Sequence, residues 1–364
     1  MLESLAGYKN KKVLVTGNTG FKGSWITMWL LKLGAEVRGY SLEPPTKPSL
    51  YETLGLSDHL HQDIKDVRSY EDLRKVLHEF RPDIIFHMAA QPLVRESYRI
   101  PLETFDVNVM GTANLLEAVR DTNIDTVVVC ITSDKSYENQ EWLFGYREND
   151  PVGGHDPYSA SKGAAEIVIS SYRRSFFSEE AHHDGKVGLA TVRAGNVIGG
   201  GDWAADRIVP DCIRSLQKRE NIHVRNPVAT RPWQHVLEPL GGYLLLGSRL
   251  LDGSVDHELF RDAFNFGPAI SSNKRVEVLV KEILKHWGSG SWSHDKIESY
   301  HEASLLNLTI DKAYHLLEWL PVWDFTLTVK HTVDWYKNDY EGGDMFSFTH
   351  KQIEQYIQDS TKIR

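Results

Sequence analysis

Lys12-Val-Leu-Val-Thr16 runs straight into Gly17-Asn18-Thr19-Gly20-Phe21-Lys22-Gly23, and no other stretch limits the fold so sharply. A short β-branched apolar run of this kind is buried in a parallel sheet, and the segment after it, with Trp25, Met28, Trp29, Leu30 and Leu33, reads as an apolar helix. Gly17 allows the tight turn, Gly20 lets backbone N–H groups approach a phosphate, and Gly23 lets the helix pack closely on the strand. The spacing is GxxGxxG rather than GxGxxG. In this strand-to-helix setting it predicts the first βα unit of a doubly wound, Rossmann-type α/β fold. A dinucleotide is expected on Gly17, Asn18, Thr19, Gly20, Phe21 and Gly23.

The rest of the chain extends this frame. With 364 residues it exceeds one hydrophobic core, so a smaller mixed α/β lobe is expected beside the parallel sheet. Residues 1–193 with about 232–263 are assigned to the dinucleotide domain, and 194–231 with 264–364 to the lobe that holds the substrate. A net charge of −9 without a basic stripe argues against nucleic acid or an anionic membrane as partner. No apolar run approaches the ~20 residues of a membrane span, and the first twelve residues lack the layout of a secretion signal. Two distant cysteines, Cys130 and Cys212, suit a reducing compartment and provide no metal site. A cytoplasmic protein without a metal is expected.

The cofactor side continues along the chain. Glu36 to Tyr40 reads as the second strand, and the position after it decides between dinucleotides, because an acidic residue bridges the ribose hydroxyls of NAD whereas a basic one suits NADP. Ser41 stands there, with Glu43 two residues on and no arginine following, which favours NAD. A third strand, His59 to Asp63, would bring Asp63 and Ile64 to the adenine. Asp83 to His87 is a fourth, and the small residues Ala89 and Ala90, with Gln91, would let the backbone pass close to a flat cofactor. Asn108 falls inside a long helical stretch from Pro101 to Asn123, where it would prop the catalytic turn.

Chemistry is expected at the end of the most apolar strand, Thr126 to Ile131, because ligands bind beyond the carboxyl ends of parallel strands. Ser133, Asp134 and Lys135 stand there. Tyr158 and Lys162 follow, four residues apart and thus on one face of a helix. Such spacing is common in helices. Beyond a polar strand end, however, it can place an ammonium beside a phenol and favour the phenolate. Asn196, the Gly199 to Gly201 loop, Arg207 and Arg231 are candidates to hold a substrate diphosphate. The last twenty residues are polar and are expected to add little.

TGxxGFxG, His87-Met-Ala-Ala-Gln91, Tyr158-Ser-Ala-Ser-Lys162 and the RxxN of Arg193 and Asn196 occur here in an order that resembles the extended short-chain dehydrogenase/reductases acting on nucleotide sugars. The resemblance covers about Lys12 to Asp339 and is strongest to the NAD-dependent 4,6-dehydratases, with CDP-glucose as the implied substrate. It implies that Tyr158 takes the proton of the sugar C4 hydroxyl, that Lys162 binds the nicotinamide ribose and that Ser133 bonds the same hydroxyl. It also implies a role in deoxysugar biosynthesis. A homodimer or homotetramer is expected through the helices bearing Asn108 and Tyr158. Most hexose 4,6-dehydratases carry an Asp-Glu pair after the strand, and this chain has Asp134-Lys135. Asp134 is therefore assigned as the acid for the C6 hydroxyl and Lys135 as the base for C5. A 4-epimerase would share Tyr158 and Lys162 without needing that pair, and a non-catalytic nucleotide-binding scaffold is the reading from another class.

Overall fold

In the computed structural model, which describes residues 2–178, 186–253, 257–294 and 305–363, seven parallel strands make one sheet. β1 (Lys12–Thr16) is followed outward on one side by β2 (Glu36–Ser41) and β3 (His61–Ile64). On the other side stand β4 (Ile84–His87), β5 (Thr126–Ile131), β6 (Val187–Arg193) and a seventh strand, Ala263–Asn265. Every residue of β4, β5 and β6 is buried, as the unbroken apolar runs demand of a sheet covered on both faces. The strand order reverses between β1 and β4, and that switch opens a crevice at their carboxyl ends.

Alternation along β1 divides the core. Val13 and Val15 point into a large cluster with Trp25, Trp29, Leu240, Trp335 and Tyr356, whereas Leu14 points into a second one with Ile85, Leu115, Val128 and Leu189. The large cluster runs without a break from the sheet into the C-terminal segments. The seventh strand crosses the expected boundary at 263/264, so Phe264 and Asn265, expected in the lobe, pair within the parallel sheet.

Short paired strands and helices build the smaller lobe. Val197–Ile198 pairs with Gln234–His235, Thr230–Pro232 with Asn273–Arg275, and Ile222–Val224 with Trp292–His294. Helices Ile208–Gln217, Val276–Trp287 and Phe325–Tyr340 pack around them. The expectation for the chain end is corrected. Met345–Ser360 is a helix capped by Asp344, which accepts from the Ser347 N–H at 3.1 Å, and it buries Met345, Ile353 and Tyr356. Its apolar stripe is narrow, so composition alone masked it.

Candidate active site

The glycine turn has the shape that a dinucleotide requires. Gly17 has φ of +71°, and a Cβ on it would lie 2.7 Å from the Ala89 nitrogen. A Cβ on Gly23 would lie 2.1 Å from the Gly17 carbonyl, so strand and helix approach as closely as the motif demands. Gly20 differs: its φ is −79°, and its nearest neighbour for a Cβ is the Gly17 carbonyl at 3.3 Å. Its backbone angles do not call for glycine, but a Cβ would crowd that carbonyl. Helix Phe21–Lys32 has no side-chain cap, which leaves its first N–H groups open to an anion. These features fit the dinucleotide.

At the ends of β2 and β3 the polar groups are engaged with one another. The Ser41 hydroxyl donates to Asn18 Oδ1 at 2.8 Å, and Asn18 Nδ2 donates to Gln62 Oε1 at 2.6 Å. Arg38, the basic residue of β2, donates to Asp63 at 2.6 Å and to Glu79 at 3.4 Å. The structure thus occupies the Asp63 carboxylate with an ion pair, while Ile64 beside it is exposed.

Asn108 lies on a π turn, Asp106–Met110, between helices Pro101–Phe105 and Gly111–Thr122. Its Oδ1 accepts from the Gln91 N–H at 2.8 Å, and its Nδ2 donates to the Gln91 carbonyl at 3.1 Å and to Ser161 Oγ at 2.9 Å. One buried amide therefore ties the Ala89-Ala90-Gln91 segment to the residue preceding Lys162. The extra residue of the π turn directs it inward.

Helix Pro157–Ser175 starts at Asp156, which caps it by accepting from the Ser159 N–H at 2.9 Å. Tyr158 and Lys162 are both buried on its inner side. Lys162 Nζ reaches the Ile131 carbonyl at 3.4 Å, and burial pulls this ammonium down to about 8. Burial pushes the Tyr158 phenol up to about 12, and a hydrogen bond with Ser133 works against it. Lys162 alone does not offset that burial, contrary to the expectation for the isolated pair.

Ser133 ends the β5 turn, accepting from the Lys135 N–H at 3.2 Å and donating to Asp134 Oδ1 at 3.0 Å. The Asp134 carboxylate is buried and pressed on Gly195, where a Cβ would lie 1.7 Å from Oδ2. Behind this turn, Glu166 and Arg193 form a buried ion pair at 2.8 Å, and Thr132 donates to Glu166. Arg193 also donates to the Tyr137 hydroxyl at 2.7 Å. Charge pairing in a dry core fixes the turn through side chains on β5, β6 and the Tyr158 helix.

A cavity of about 1170 Å³ opens above these groups, lined by Ser133, Asp134, Lys135, Tyr158, Asn196, Arg207 and Arg231. The structure thus gathers the expected reaction centre and the expected diphosphate holders in one space. Asn196 adopts a left-handed φ of +46°, and Arg207 donates to Asp202 at 2.8 Å. Lys22 and Asp202 line the same cavity, and sequence reasoning singled out neither. The available signal for Lys22 was a charged residue between two glycine-motif positions, in the first turn of an apolar helix. Among the described residues, no cluster of histidine, cysteine and acidic side chains could hold a metal ion. No helix there is long and apolar enough to cross a membrane.

The sequence matches the family described as GDP-mannose 4,6 dehydratase over residues 14–240. It is 48% identical over 356 residues to the CDP-glucose 4,6-dehydratase of Salmonella typhimurium, covering 98% of each chain. It is 32% identical to GDP-mannose 4,6 dehydratase 1 of Arabidopsis thaliana, covering 76% of this chain and 90% of that one. Among solved structures, the epimerase Mth375 of Methanothermobacter thermautotrophicus superposes with a TM-score of 0.78 at 22% identity, covering 93% of this chain and 96% of that one. DesIV of Streptomyces venezuelae, a dTDP-glucose 4,6-dehydratase solved with NAD and TYD bound, superposes at 0.76 with 22% identity, covering 91% and 98%. The extent of these matches, joined to the glycine turn and the Tyr158 helix, establishes that the chain belongs to the GDP-mannose 4,6 dehydratase family of nucleotide-sugar enzymes.

Proposed function

We propose that the protein is an NAD-dependent nucleotide-sugar 4,6-dehydratase whose substrate is CDP-glucose. The observation that carries this reading is the meeting of Ser133, Asp134, Lys135 and Tyr158 on one cavity, with Lys162 buried one helical turn behind Tyr158. The choice of cytidine and glucose is supported by the Salmonella typhimurium relative at 48% identity. Gly17, Gly20, Gly23 and the open first turn of the following helix would hold the dinucleotide, with Ser41, Asn18 and Gln62 towards its adenosine ribose.

Bound there, NAD would accept the hydride of sugar C4 and return it to C6. Tyr158 takes the proton of the C4 hydroxyl, and Ser133 bonds the same oxygen. Lys162 stabilises the phenolate that Tyr158 must be before this transfer, and it binds the cofactor ribose. The 4-ketone acidifies C5–H. Lys135, as a neutral amine, takes that proton, Asp134 gives one to the C6 oxygen, and the C6–O bond breaks to release water. Lys135 then returns its proton to C5. The product is CDP-4-keto-6-deoxyglucose, and return of the proton on Tyr158 to Asp134 restores both groups for the next turnover. Asn196, Arg207 and Arg231 are assigned to the diphosphate.

We also infer a homodimer through the Asn108 and Tyr158 helices, which expose Leu102, Phe105, Met110 and Ile167, and a cytoplasmic location, which the two free buried thiols suit. One experiment tests the chemistry: CDP-, dTDP-, UDP- and GDP-hexoses deuterated at C4 are incubated with the protein. Label moved to C6 of a 4-keto product from CDP-glucose is the expected result. Label returned to C4 with inversion would make the enzyme an epimerase, and turnover of another nucleotide alone would overturn the choice of base.

A further inference from the structure

Lys22 lies within electrostatic range of two other cations, Lys162 and Arg207, and of two carboxylates, Asp134 and Asp202. Arg207 and Asp202 pair at 2.8 Å, and Lys162 reaches the Ile131 carbonyl at 3.4 Å. Among the described residues, Lys22 makes neither a hydrogen bond nor an ion pair, although it is partly buried and lines the cavity. An ammonium partly withdrawn from water on a cavity wall, with no protein partner, is a ready donor to a bound ligand.

Placement narrows which part of the ligand that is. Lys22 enters from the first turn of the Phe21–Lys32 helix, on the dinucleotide side, whereas Asn196, Arg207 and Arg231 lie on the substrate lobe. Asp134 is pinned from other directions, by the Ser133 hydroxyl at 3.0 Å and by Gly195. Lys22 and Asp134 interact electrostatically, yet no ion pair between them forms within bonding range. Both line the same cavity, where one oxygen of a bound sugar would meet the two. Burial, with Arg207 beside it, pulls the Lys22 ammonium down to about 8, which leaves it a charged donor near neutral pH.

We propose that Lys22 is a further catalytic residue, which faces Asp134 across the sugar-binding space and donates a hydrogen bond to the oxygen that leaves C6. The inference rests on the dehydratase reading above. As the C6–O bond breaks, its electron pair goes to the oxygen, Asp134 supplies the proton that makes it water, and the Lys22 ammonium steadies the charge that develops before that proton arrives.

Binding separates this role from others. In a Tyr158→Phe background, where no hydride moves, calorimetry compares CDP-glucose with CDP-6-deoxyglucose, which lacks the C6 oxygen. Lys22→Met is expected to weaken CDP-glucose about tenfold and to leave CDP-6-deoxyglucose unchanged. Equal weakening of both ligands would make Lys22 a phosphate holder, weakening of neither would remove it from the substrate, and loss of bound NAD on purification would assign it to the cofactor. Each of these outcomes overturns the proposal. With Tyr158 restored, Lys22→Met should lower kcat about 100-fold while reduced cofactor accumulates in a single turnover, and Lys22→Arg should recover part of the rate. Circular dichroism controls for folding. The labelled-sugar experiment on the unaltered enzyme tests the dehydratase reading independently of any change at Lys22.

Discussion

At the scale of single residues, Gly195 explains how a short side chain such as Asp134 is aimed. Asp134 has two rotatable bonds, its Oδ1 accepts from Ser133, and its Oδ2 fills the space that any Cβ at position 195 would occupy. Gly195→Ala therefore cannot be accommodated without moving the carboxylate. If Asp134 protonates the leaving hydroxyl, the variant should lose about 100-fold in kcat. Oxidation at C4, which depends on Tyr158, Lys162 and Ser133, should continue. Rapid mixing with CDP-glucose should show reduced cofactor forming at nearly the normal rate and then persisting. A normal decay of that signal would show that Asp134 is not needed where the structure holds it.

At the scale of elements, the C-terminal helix Met345–Ser360 is fastened by one buried carboxylate. Glu238 accepts from the N–H groups of Val322 and Trp323 at 2.9 and 2.7 Å and from the Tyr356 hydroxyl at 2.8 Å. Burial pushes its pKa up to about 7 despite these three donors. The folded state thus holds this proton more tightly than the unfolded chain, whose glutamate titrates near ~4.3. The stabilisation is fully present below about pH 4 and is lost as pH rises through about 7, amounting to roughly 4 kcal/mol. His235 and His331 nearby are held neutral by burial and do not supply a compensating charge. Glu238→Gln sets its NH2 against one of these donors, so it should melt below the native protein at about pH 5, and that deficit should narrow as pH rises to about 8. A Tm difference that stayed constant across that range would refute it. This helix also marks where sequence reading stopped. β1 and β5 were legible with their bounds because each is a short, mainly apolar run buried in the sheet. The Tyr158 helix was legible because Asp156 and Pro157 announce its start. The π turn at Asn108 has no composition of its own, and Lys22 sits at an unspecified position of a motif read for its glycines. Those features depend on which distant segments close over them.

At the scale of the whole molecule, the surface outside the Tyr158 helix is one that a second copy would cover. Leu102 and Phe105 lie on the Pro101–Phe105 helix, Met110 on the π turn and Ile167 on the Pro157–Ser175 helix, and these elements pack on one another. Ile167 is 60% exposed and Leu102 84%, more apolar surface than a soluble helix pair ordinarily leaves in water. Two helices meeting the same two helices of a second copy form a closed, isologous four-helix interface, which covers each patch with itself. The inner sides of the same elements hold Asn108, Ser161 and Lys162, so association would brace the segments that set the lysine in place. Ile167→Asp puts two carboxylates near the twofold axis, where like charges repel and desolvation is costly. The native protein should scatter light as a dimer or tetramer at micromolar concentration, and the variant as a monomer. Tm should drop in the variant because association adds to apparent stability by mass action. A variant that keeps the native mass would place the interface elsewhere, and a native protein that is already monomeric would leave the exposed apolar residues to another partner.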